Sequence, residues 1–375
     1  MRIPLSAPDI NDADIAAVSA VLRTSRLSLG PQMEEFEDSI ARYIGTAHAV
    51  AVNSGTSALH LAVRALGISE GDEVIIPSFA FIAVANVLRY ERAVPVFVDI
   101  DPQTLNLDPA RVEEAITPRT RGIIVVHTFG CPAALNEILE IARRHQLPVI
   151  EDACEALGAQ FDGRKVGSFG HAAVFGFYPN KQITSGEGGM LVTNDSRLAA
   201  VARKLRNQGR GESGAWLQHE ELGYNYRISE LNCALGAAQL PRLETILEKR
   251  EAIAREYHRR LESHLDLELP ALELPRRRIS WFVYVVRLDK RFAAHRDHFM
   301  QEMASRGIAC GRYFAPIHLQ PAYRSQAHRC MILTHTETMA ARTLALPFFN
   351  RISTEQIEEV CQTLSELIRK LRPTF

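Results

Sequence analysis

Two patterns of apolar and polar residues follow one another over the first two-thirds of the chain. Residues 123–126 are Ile or Val throughout, which is typical of a strand buried on both faces. Residues 32–44 instead place Phe36, Ile40 and Tyr43 at helical spacing. Short apolar runs and helical patterns that follow one another in this way predict a mainly parallel sheet covered by helices on both faces.

The predicted elements of this first part follow the same alternation. Strands are predicted at residues 48–52, 73–76, 95–98, 122–127, 148–150, 172–177 and 190–192. Helices are predicted at residues 32–44, 56–66, 111–116 and 135–145.

The alternation stops after about residue 240. Pro241 begins a charged helix predicted to end at His264, and Ser353 and Gln356 form a capping box before a final helix. Between them we predict a strand at residues 281–288, a helix at 297–306 and an extended segment at 308–314. The pattern therefore predicts an α/β fold, with a large domain at residues 1–245 and a smaller α+β domain at residues 246–375.

The composition of the chain limits the class of protein to which it can belong. The 375 residues include 43 Lys and Arg against 44 Asp and Glu, a balance that favours neither nucleic acid nor a membrane surface as partner. The six cysteines are widely spaced, without a C-x-x-C pair, and indicate reduced thiols in the cytoplasm. No apolar run reaches the roughly 20 residues that cross a bilayer, and the N-terminus lacks a signal-peptide pattern.

Lys181 lies in a loop between the predicted strands at residues 172–177 and 190–192. A turn follows in which three of the four residues 186–189 are glycine, at Gly186, Gly188 and Gly189. Desolvation lowers the pKa of an amine, so a lysine held between buried strands can be a nucleophile and form a Schiff base. A surface lysine on a glycine-rich hairpin fits the same segment, and the loop alone leaves both interpretations open.

A second candidate is the turn between the first predicted strand and the helix after it. Its residues include Gly55, Thr56 and Ser57. The first N–H groups of a helix have no internal acceptors and lie at the positive end of its dipole, so this turn is suited to a phosphate. It is neither a P-loop nor a G-x-G-x-x-G motif, and a plain helix cap is the alternative.

Two further candidates stand at strand ends. Asp152 follows a predicted strand, where ligands of open α/β sheets collect, and can hold a positively charged ring nitrogen; capping a following helix is the alternative. Phe79 and Phe81 follow another strand, and a ring there can stack on a flat cofactor or belong to the core. Phosphate turn, stacking ring, acid and lysine together match the contacts of pyridoxal 5'-phosphate (PLP), which we predict as cofactor.

The chain resembles the DegT/DnrJ/StrS family of PLP-dependent nucleotide-sugar aminotransferases, which have the aspartate aminotransferase (type I) fold. The resemblance covers nearly the whole chain and is strongest at residues 178–189. The other segments that carry it are residues 29–31, 53–59, 72–81, 98–101, 127–130, 151–153, 167–170, 222–227 and 316–321.

The resemblance implies a role for each matched position near the cofactor. Lys181 would bind PLP covalently and carry a proton between substrate and cofactor, and Asp152 would pair with the pyridine nitrogen. Phe81 would stack on the ring, and Glu155 would lie near the ring oxygen. The turn would bind the phosphate through Gly55, Thr56 and Ser57.

Three more positions are implied to lie near a partner or a substrate. Asn225 would reach the phosphate of the cofactor in the neighbouring subunit, which implies a homodimer with shared sites. Arg227 and His318 would contact the donor carboxylate or the sugar nucleotide. One position departs from the family, because many relatives have serine where this chain has Gly176, so that phosphate contact is missing.

The predicted reaction is the transfer of an amino group from an amino acid, L-glutamate, to a nucleotide-linked 4-keto-6-deoxyhexose. It would serve amino-sugar biosynthesis for a surface polysaccharide or a glycosylated metabolite. The intact Lys181 favours transamination over the dehydratase chemistry of relatives that carry histidine there. A sugar dehydratase, a cyclitol aminotransferase and a non-catalytic regulatory relative remain alternatives. No metal site is expected, because His295 and His298 lack a third ligand.

Overall fold

A computed structural model describes residues 2–211 and 218–371 of the chain. Its α-helices are α1 (Asp12–Val21), α2 (Pro31–Ile44), α3 (Gly55–Ala65), α4 (Ala83–Tyr90), α5 (Pro109–Glu114), α6 (Leu135–Arg144), α7 (Ser196–Arg206), α8 (Glu230–Gln239), α9 (Leu243–Leu261), α10 (Arg296–Ser305), α11 (Thr334–Arg342) and α12 (Thr354–Leu371). Its strands are β1 (His48–Val52), β2 (Glu73–Pro77), β3 (Val94–Val98), β4 (Thr120–Val126), β5 (Val149–Asp152), β6 (Gln160–Phe161), β7 (Arg164–Lys165), β8 (Ala172–Gly176), β9 (Gly189–Thr193), β10 (Leu267–Glu268), β11 (Arg277–Arg278), β12 (Tyr284–Leu288), β13 (Arg329–Cys330) and β14 (Thr343–Leu346).

The predicted mainly parallel sheet is confirmed. Over the described residues it has eight strands in the order β1-β9-β8-β5-β4-β2-β3-β13. Every pair from β8 to β13 is parallel, and only β9 runs against its neighbours. The carboxyl ends of β4, β5 and β8 therefore meet at one edge of the sheet, which is where a ligand of such a fold binds.

Continuous apolar strands arise because each face of the sheet supports its own core. In β4, Ile123 and Val125 face the core that contains Phe36 of α2. Ile124 and Val126 face the opposite core, which contains residues of α3, α4 and α7. All four β4 side chains are buried, so the strand has no polar face and its sequence shows no alternation.

The C-terminal part of the chain has a second, smaller sheet, β10-β12-β14, which is antiparallel. Helices α9, α10 and α12 share its core through Tyr257, Phe299 and Leu364. The predicted capping box is confirmed, because the Ser353 and Gln356 N–H groups each donate to the other residue's side chain, at 3.0 and 3.2 Å. The predicted boundary between residues 245 and 246 falls inside α9 and stays a prediction.

Two predicted elements begin later than expected. The strand predicted from residue 281 begins at Tyr284, because Trp281 has a φ of 52° and the N–H of Phe282 donates to the C=O of Phe129 (3.1 Å). The helix predicted from Pro241 begins with a 3-10 turn before α9. Helix α8 went unpredicted because it packs against both α1 and α2 and therefore lacks a clear polar face.

Within residues 2–211 and 218–371, each helix is too short or too polar to cross a membrane.

Candidate active site

A cavity of about 480 Å³ opens where β4, β5 and β8 end and α3 begins. Its volume lies in the range of roughly 300–1,000 Å³ that small-molecule sites occupy. The predicted site residues that line it are Gly55, Thr56, Phe81, Asp152, Glu155, Gly176 and Lys181. Residues far apart in sequence thus meet at the sheet edge where a ligand was expected.

Backbone hydrogen bonds close the loop that carries Lys181. The N–H of Phe177 donates to the C=O of Gly188, and the N–H of Ser185 donates to the C=O of Phe177, both at 2.9 Å. Inside the loop, the N–H of Lys181 donates to the C=O of Tyr178 (2.9 Å). The lysine is therefore held on an ordered turn between β8 and β9, as the sequence predicted.

Two glutamine side chains attach this loop to its surroundings. Gln239 of α8 accepts from the N–H of Thr184 (3.1 Å) and donates to its C=O (2.6 Å). Gln182 donates to the C=O of Glu155 (2.7 Å) and to the hydroxyl of Ser280 (3.1 Å). The amides fix the loop from both sides, which limits the positions that the neighbouring lysine can take.

The Lys181 amine lies between an acid and an aromatic ring. Its Nζ is 3.9 Å from Oε1 of Glu155 and 4.0 Å from the ring centroid of Phe282. The lysine side chain is only 15% exposed. The carboxylate and the ring face both attract a nitrogen that carries positive charge, so these two contacts hold the lysine head group in place.

Glu155 is buried in the cavity wall and has an altered acidity. Burial raises its pKa to about 6, and the charge of Asp152 adds to this shift. The charge of Lys181 and a hydrogen bond from the N–H of Phe129 (2.9 Å) oppose it. Glu155 therefore changes charge close to neutral pH, unlike an ordinary glutamate.

Asp152 ends β5 and lines the cavity. Its Oδ1 accepts from the N–H of Cys154 at 3.1 Å. Residues 153–158 form turns, so the alternative in which Asp152 caps a following helix is wrong. The carboxylate is left to face a ligand in the cavity.

The turn before α3 is both a helix cap and part of the cavity wall. The Ser54 hydroxyl accepts from the N–H of Ser57 (3.1 Å), and the Ser57 hydroxyl donates to Oδ1 of Asn53 (2.7 Å). The N–H groups of Gly55 and Thr56 precede the first intrahelical hydrogen bond, at the positive end of the helix dipole. An anion in the cavity would meet these two groups, whereas the Ser57 hydroxyl is engaged within the turn.

Close packing explains the glycine at position 55. A Cβ there would lie 2.8 Å from the Sγ of Cys154 and 3.3 Å from the Cα of Gly176. At Gly176, the nearest atoms to an added Cβ are the Sγ and Cβ of Cys154, at ordinary contact distances of 3.4 and 3.5 Å. The chain therefore needs glycine at position 55 but has room for a side chain at position 176.

Phe81 and Asn225 lie towards the outside of the site. Phe81 lines the cavity and is 63% exposed, whereas Phe79 is fully buried among other aromatic rings. Asn225 is exposed outside the cavity, and its C=O accepts from the side chain of Asn53 (3.4 Å). The predicted contact of Asn225 with a neighbouring subunit's cofactor stays a prediction.

The two predicted substrate contacts lie outside the cavity wall. Arg227 donates to Oδ1 of Asn207 at 2.9 Å. His318 contacts the hydroxyl of Ser78 (2.7 Å) through Nδ1 and a carboxylate oxygen of Glu337 (3.2 Å) through Nε2. Their roles in substrate binding remain predictions.

Several cavity residues were not predicted from the sequence. They come from the loop around Lys181 and from the C-terminal part of the chain: Tyr178, Asn180, Glu187, Phe282, Tyr313 and Phe314. Burial raises the pKa of Tyr313, and the nearby Glu155 adds to the shift. Tyr178, Asn180 and Glu187 lie in residues 178–189, where the family resemblance is strongest. No local motif marks the three C-terminal residues, since their place in the site depends on how the two parts of the chain meet.

The sequence profile of the DegT/DnrJ/EryC1/StrS aminotransferase family matches residues 8–365. The chain belongs to this family. The predictions of the family, of an aminotransferase and of the type I fold are thereby confirmed.

Related proteins match this chain in sequence and structure over almost its full length. GDP-perosamine synthase of Caulobacter vibrioides is 40% identical over 369 residues, covering 98% of both chains. S. venezuelae DesV, solved in complex with a ketimine intermediate, is 38% identical with a TM-score of 0.89 and 98% coverage of both chains. Helicobacter pylori PseC, an aminotransferase of pseudoaminic acid biosynthesis, is 27% identical with a TM-score of 0.95, covering 99% of this chain and all of PseC.

Proposed function

We propose that this family member is a PLP-dependent enzyme that transfers an amino group from L-glutamate to a nucleotide-linked 4-keto-6-deoxyhexose. One observation carries the proposal: a single cavity brings together Lys181, Asp152 and the first N–H groups of α3. These are a nucleophilic amine, an acid and an anion site, the three groups that PLP needs at its aldehyde, its pyridine nitrogen and its phosphate.

The residues present fit PLP. Gly55 and Thr56 would bind its phosphate through backbone N–H groups, because the glycine lets α3 begin against Gly176. Asp152 would hold a proton on the pyridine nitrogen, and Phe81 would cover one face of the ring. PLP, when bound, supplies an electron sink for the carbon that loses its proton.

Lys181 would carry out the covalent attachment and the proton transfer at the reacting atoms. Its Nζ would hold the cofactor covalently and, once released by the substrate amine, move a proton between substrate carbon and cofactor. General acid–base catalysis of this kind contributes about 10²–10⁴-fold to a rate. Glu155, whose Oε1 lies 3.9 Å away, would keep the amine in place and lie near the ring oxygen.

Relatives support a proposal for the sugar acceptor, and exposed side chains support one for the assembly of the protein. The GDP-perosamine synthase relative makes a GDP-linked sugar the first acceptor to test. Phe81 and Tyr178 are exposed at the cavity, at 63% and 53%, and Asn225 lies outside it. We propose that a second copy of the chain covers these side chains and that its Asn225 completes the phosphate site.

The proposed setting is amino-sugar biosynthesis in the cytoplasm, for a surface polysaccharide or a glycosylated metabolite. Six free cysteines fit a reducing compartment.

The test is a reaction of the PLP-loaded protein with L-glutamate and GDP-, dTDP- and UDP-linked keto-sugars, followed by mass spectrometry. An aminated sugar nucleotide from wild type and none from Lys181→Ala is the expected result. A product that loses water without gaining nitrogen would favour the dehydratase alternative. A protein whose absorbance does not change when PLP is added would overturn the proposal.

A further inference from the structure

Phe129 links the two groups that flank the Lys181 amine. Its N–H donates to Oε2 of Glu155 (2.9 Å), and its C=O accepts from the N–H of Phe282 (3.1 Å). Glu155 and Phe282 are the acid and the ring within 4 Å of Lys181 Nζ. Any displacement of Phe129 would therefore move both neighbours of the lysine.

Phe129 can make both bonds because its backbone is left-handed, with a φ of 59°. Gly130 follows at a φ of 87°, and a Cβ there would lie 2.7 Å from the Ser280 hydroxyl and 2.9 Å from the Trp281 nitrogen. The C=O of Gly130 accepts from the N–H of Ser280 (3.0 Å). A left-handed non-glycine residue is strained and persists only where its surroundings hold it.

A fully buried side-chain pair holds the start of this turn. His127 and Glu151 are both 0% exposed, and Nε2 of His127 is 3.0 Å from Oε2 of Glu151. The N–H of Ala133 donates to Nδ1 (3.1 Å), so Nδ1 is unprotonated and Nε2 donates to the carboxylate. The ring is thus a neutral histidine with both nitrogens engaged.

Glu151 is anchored independently of the histidine. It accepts from the N–H groups of Gly167 (2.7 Å), Phe169 (2.8 Å) and Gly170 (2.7 Å). Burial alone would raise the pKa of Glu151, but the bonds from His127 and the backbone hold it below its usual range. The charged Glu151 carboxylate is therefore held rigidly by its hydrogen bonds. Its bond to His127 fixes the start of the turn.

We propose that His127 and Glu151 are positioning residues that set the distances of Glu155 and Phe282 from Lys181 through the turn at residues 127–130. The inference rests on the proposed function, because the lysine's neighbours matter only if the lysine reacts. Neither side chain lines the cavity, so the pair acts on the reaction indirectly, through the turn to Phe129. The N–H of His127 also donates to the C=O of Asp152 (3.1 Å), a backbone contact that does not depend on either side chain.

The test is a double-mutant cycle of His127→Asn and Glu155→Gln in the PLP-loaded protein. Asparagine can still accept from Ala133 but no longer reaches Glu151. A displacement of about 1 Å can cost about 10²-fold in rate, so we expect His127→Asn to lower kcat by about that factor. The KM for glutamate should change little, because ground-state binding is untouched.

Coupling to Glu155 separates positioning from general damage. In the Glu155→Gln background, His127→Asn should lower kcat by less than it does in wild type, because residues that act through one another are not additive and only the effect carried by Phe282 remains. The same non-additivity should appear in the visible circular dichroism of bound PLP, which reports the orientation of the cofactor ring without turnover. Equal losses in both backgrounds would overturn the proposal.

Two further variants keep the result decisive. Glu73→Gln is a matched control, because Glu73 is 1% exposed, paired with Arg119 and Arg329, and lies at the opposite end of the sheet. It should lower Tm without changing kcat or the dichroism. If His127→Asn does not fold, His127→Gln, which keeps a donor for Glu151, enters the same cycle and should show a milder coupled loss.

Different results would refute the proposed function and the positioning role of His127 and Glu151. A wild-type protein that binds PLP but aminates no sugar would refute the acceptor, while the dichroism cycle would still test the positioning. Full additivity in the dichroism, with normal transamination by wild type, would refute the positioning alone. A wild-type protein that does not bind PLP would refute both.

Discussion

Gly55 and Gly176 face the same thiol, yet substitutions at the two positions should have opposite effects on cofactor affinity. In Gly55→Ala, the new Cβ would lie 2.8 Å from the Sγ of Cys154. Ordinary contact begins at 3.4 Å, so the start of α3 must shift by about 3.4 minus 2.8, or 0.6 Å. That shift would misalign the N–H groups proposed to bind the phosphate. One hydrogen bond to a charged group is worth about 1.5–3 kcal/mol, or about 10–150-fold in Kd.

Gly176→Ser adds a hydroxyl without a clash, since its Cβ would lie 3.4 Å from the same Sγ. We expect it to bind PLP about tenfold more tightly, by one added hydrogen bond.

The assay is a titration of the cofactor-free proteins with PLP, followed by absorbance, with Tm measured in parallel. Cys154→Ala in the Gly55→Ala background should restore most of the lost affinity, because it removes the closest atom. Wild-type affinity in Gly55→Ala would contradict the expected clash with Cys154. So would a weakened Gly55→Ala that Cys154→Ala leaves unchanged.

Two other predictions concern the acids. Asp152→Asn should lower kcat by at least about 10²-fold while the protein still folds, because an amide does not hold a proton on the pyridine nitrogen; single-turnover rates that match wild type would contradict this. In cofactor-free protein, the Glu155 pKa of about 6 lies above its ordinary 4.5, so the folded state holds this proton more tightly and stability falls as pH rises from roughly 4.5 to 6. A pKa that rises from 4.5 to about 6 on folding corresponds to about 2 kcal/mol of stability. Denaturant unfolding at several pH values should show this slope in wild type and not in Glu155→Gln, and an identical slope in both would contradict the assignment.

The sequence predicted the features that depend on local pattern. The strand at His48–Val52 matches the structure at both ends, because four of its five residues are apolar and polar residues follow it. Lys181, Asp152 and Gly55 could be predicted because each follows or precedes a strand at the same sheet edge. These positions require only the order of elements and the rule that parallel strands end together.

The remaining features depend on contacts between distant segments. Phe282 lies within the predicted strand 281–288, but the left-handed backbone of Trp281 takes it out of the strand and places its ring beside Lys181. The Ser57 hydroxyl donates to Oδ1 of Asn53, and its implied contact with the phosphate stays a prediction. The sequence pattern contains no signal for either, because both depend on the three-dimensional surroundings.

Lys181 is proposed to hold the cofactor covalently. Borohydride treatment of the PLP-loaded protein, followed by proteolysis and mass spectrometry, tests this role directly. One modified peptide is expected, with the pyridoxyl group on Lys181. A pyridoxyl group on another lysine, or no modified peptide from a protein that has bound PLP, would contradict it.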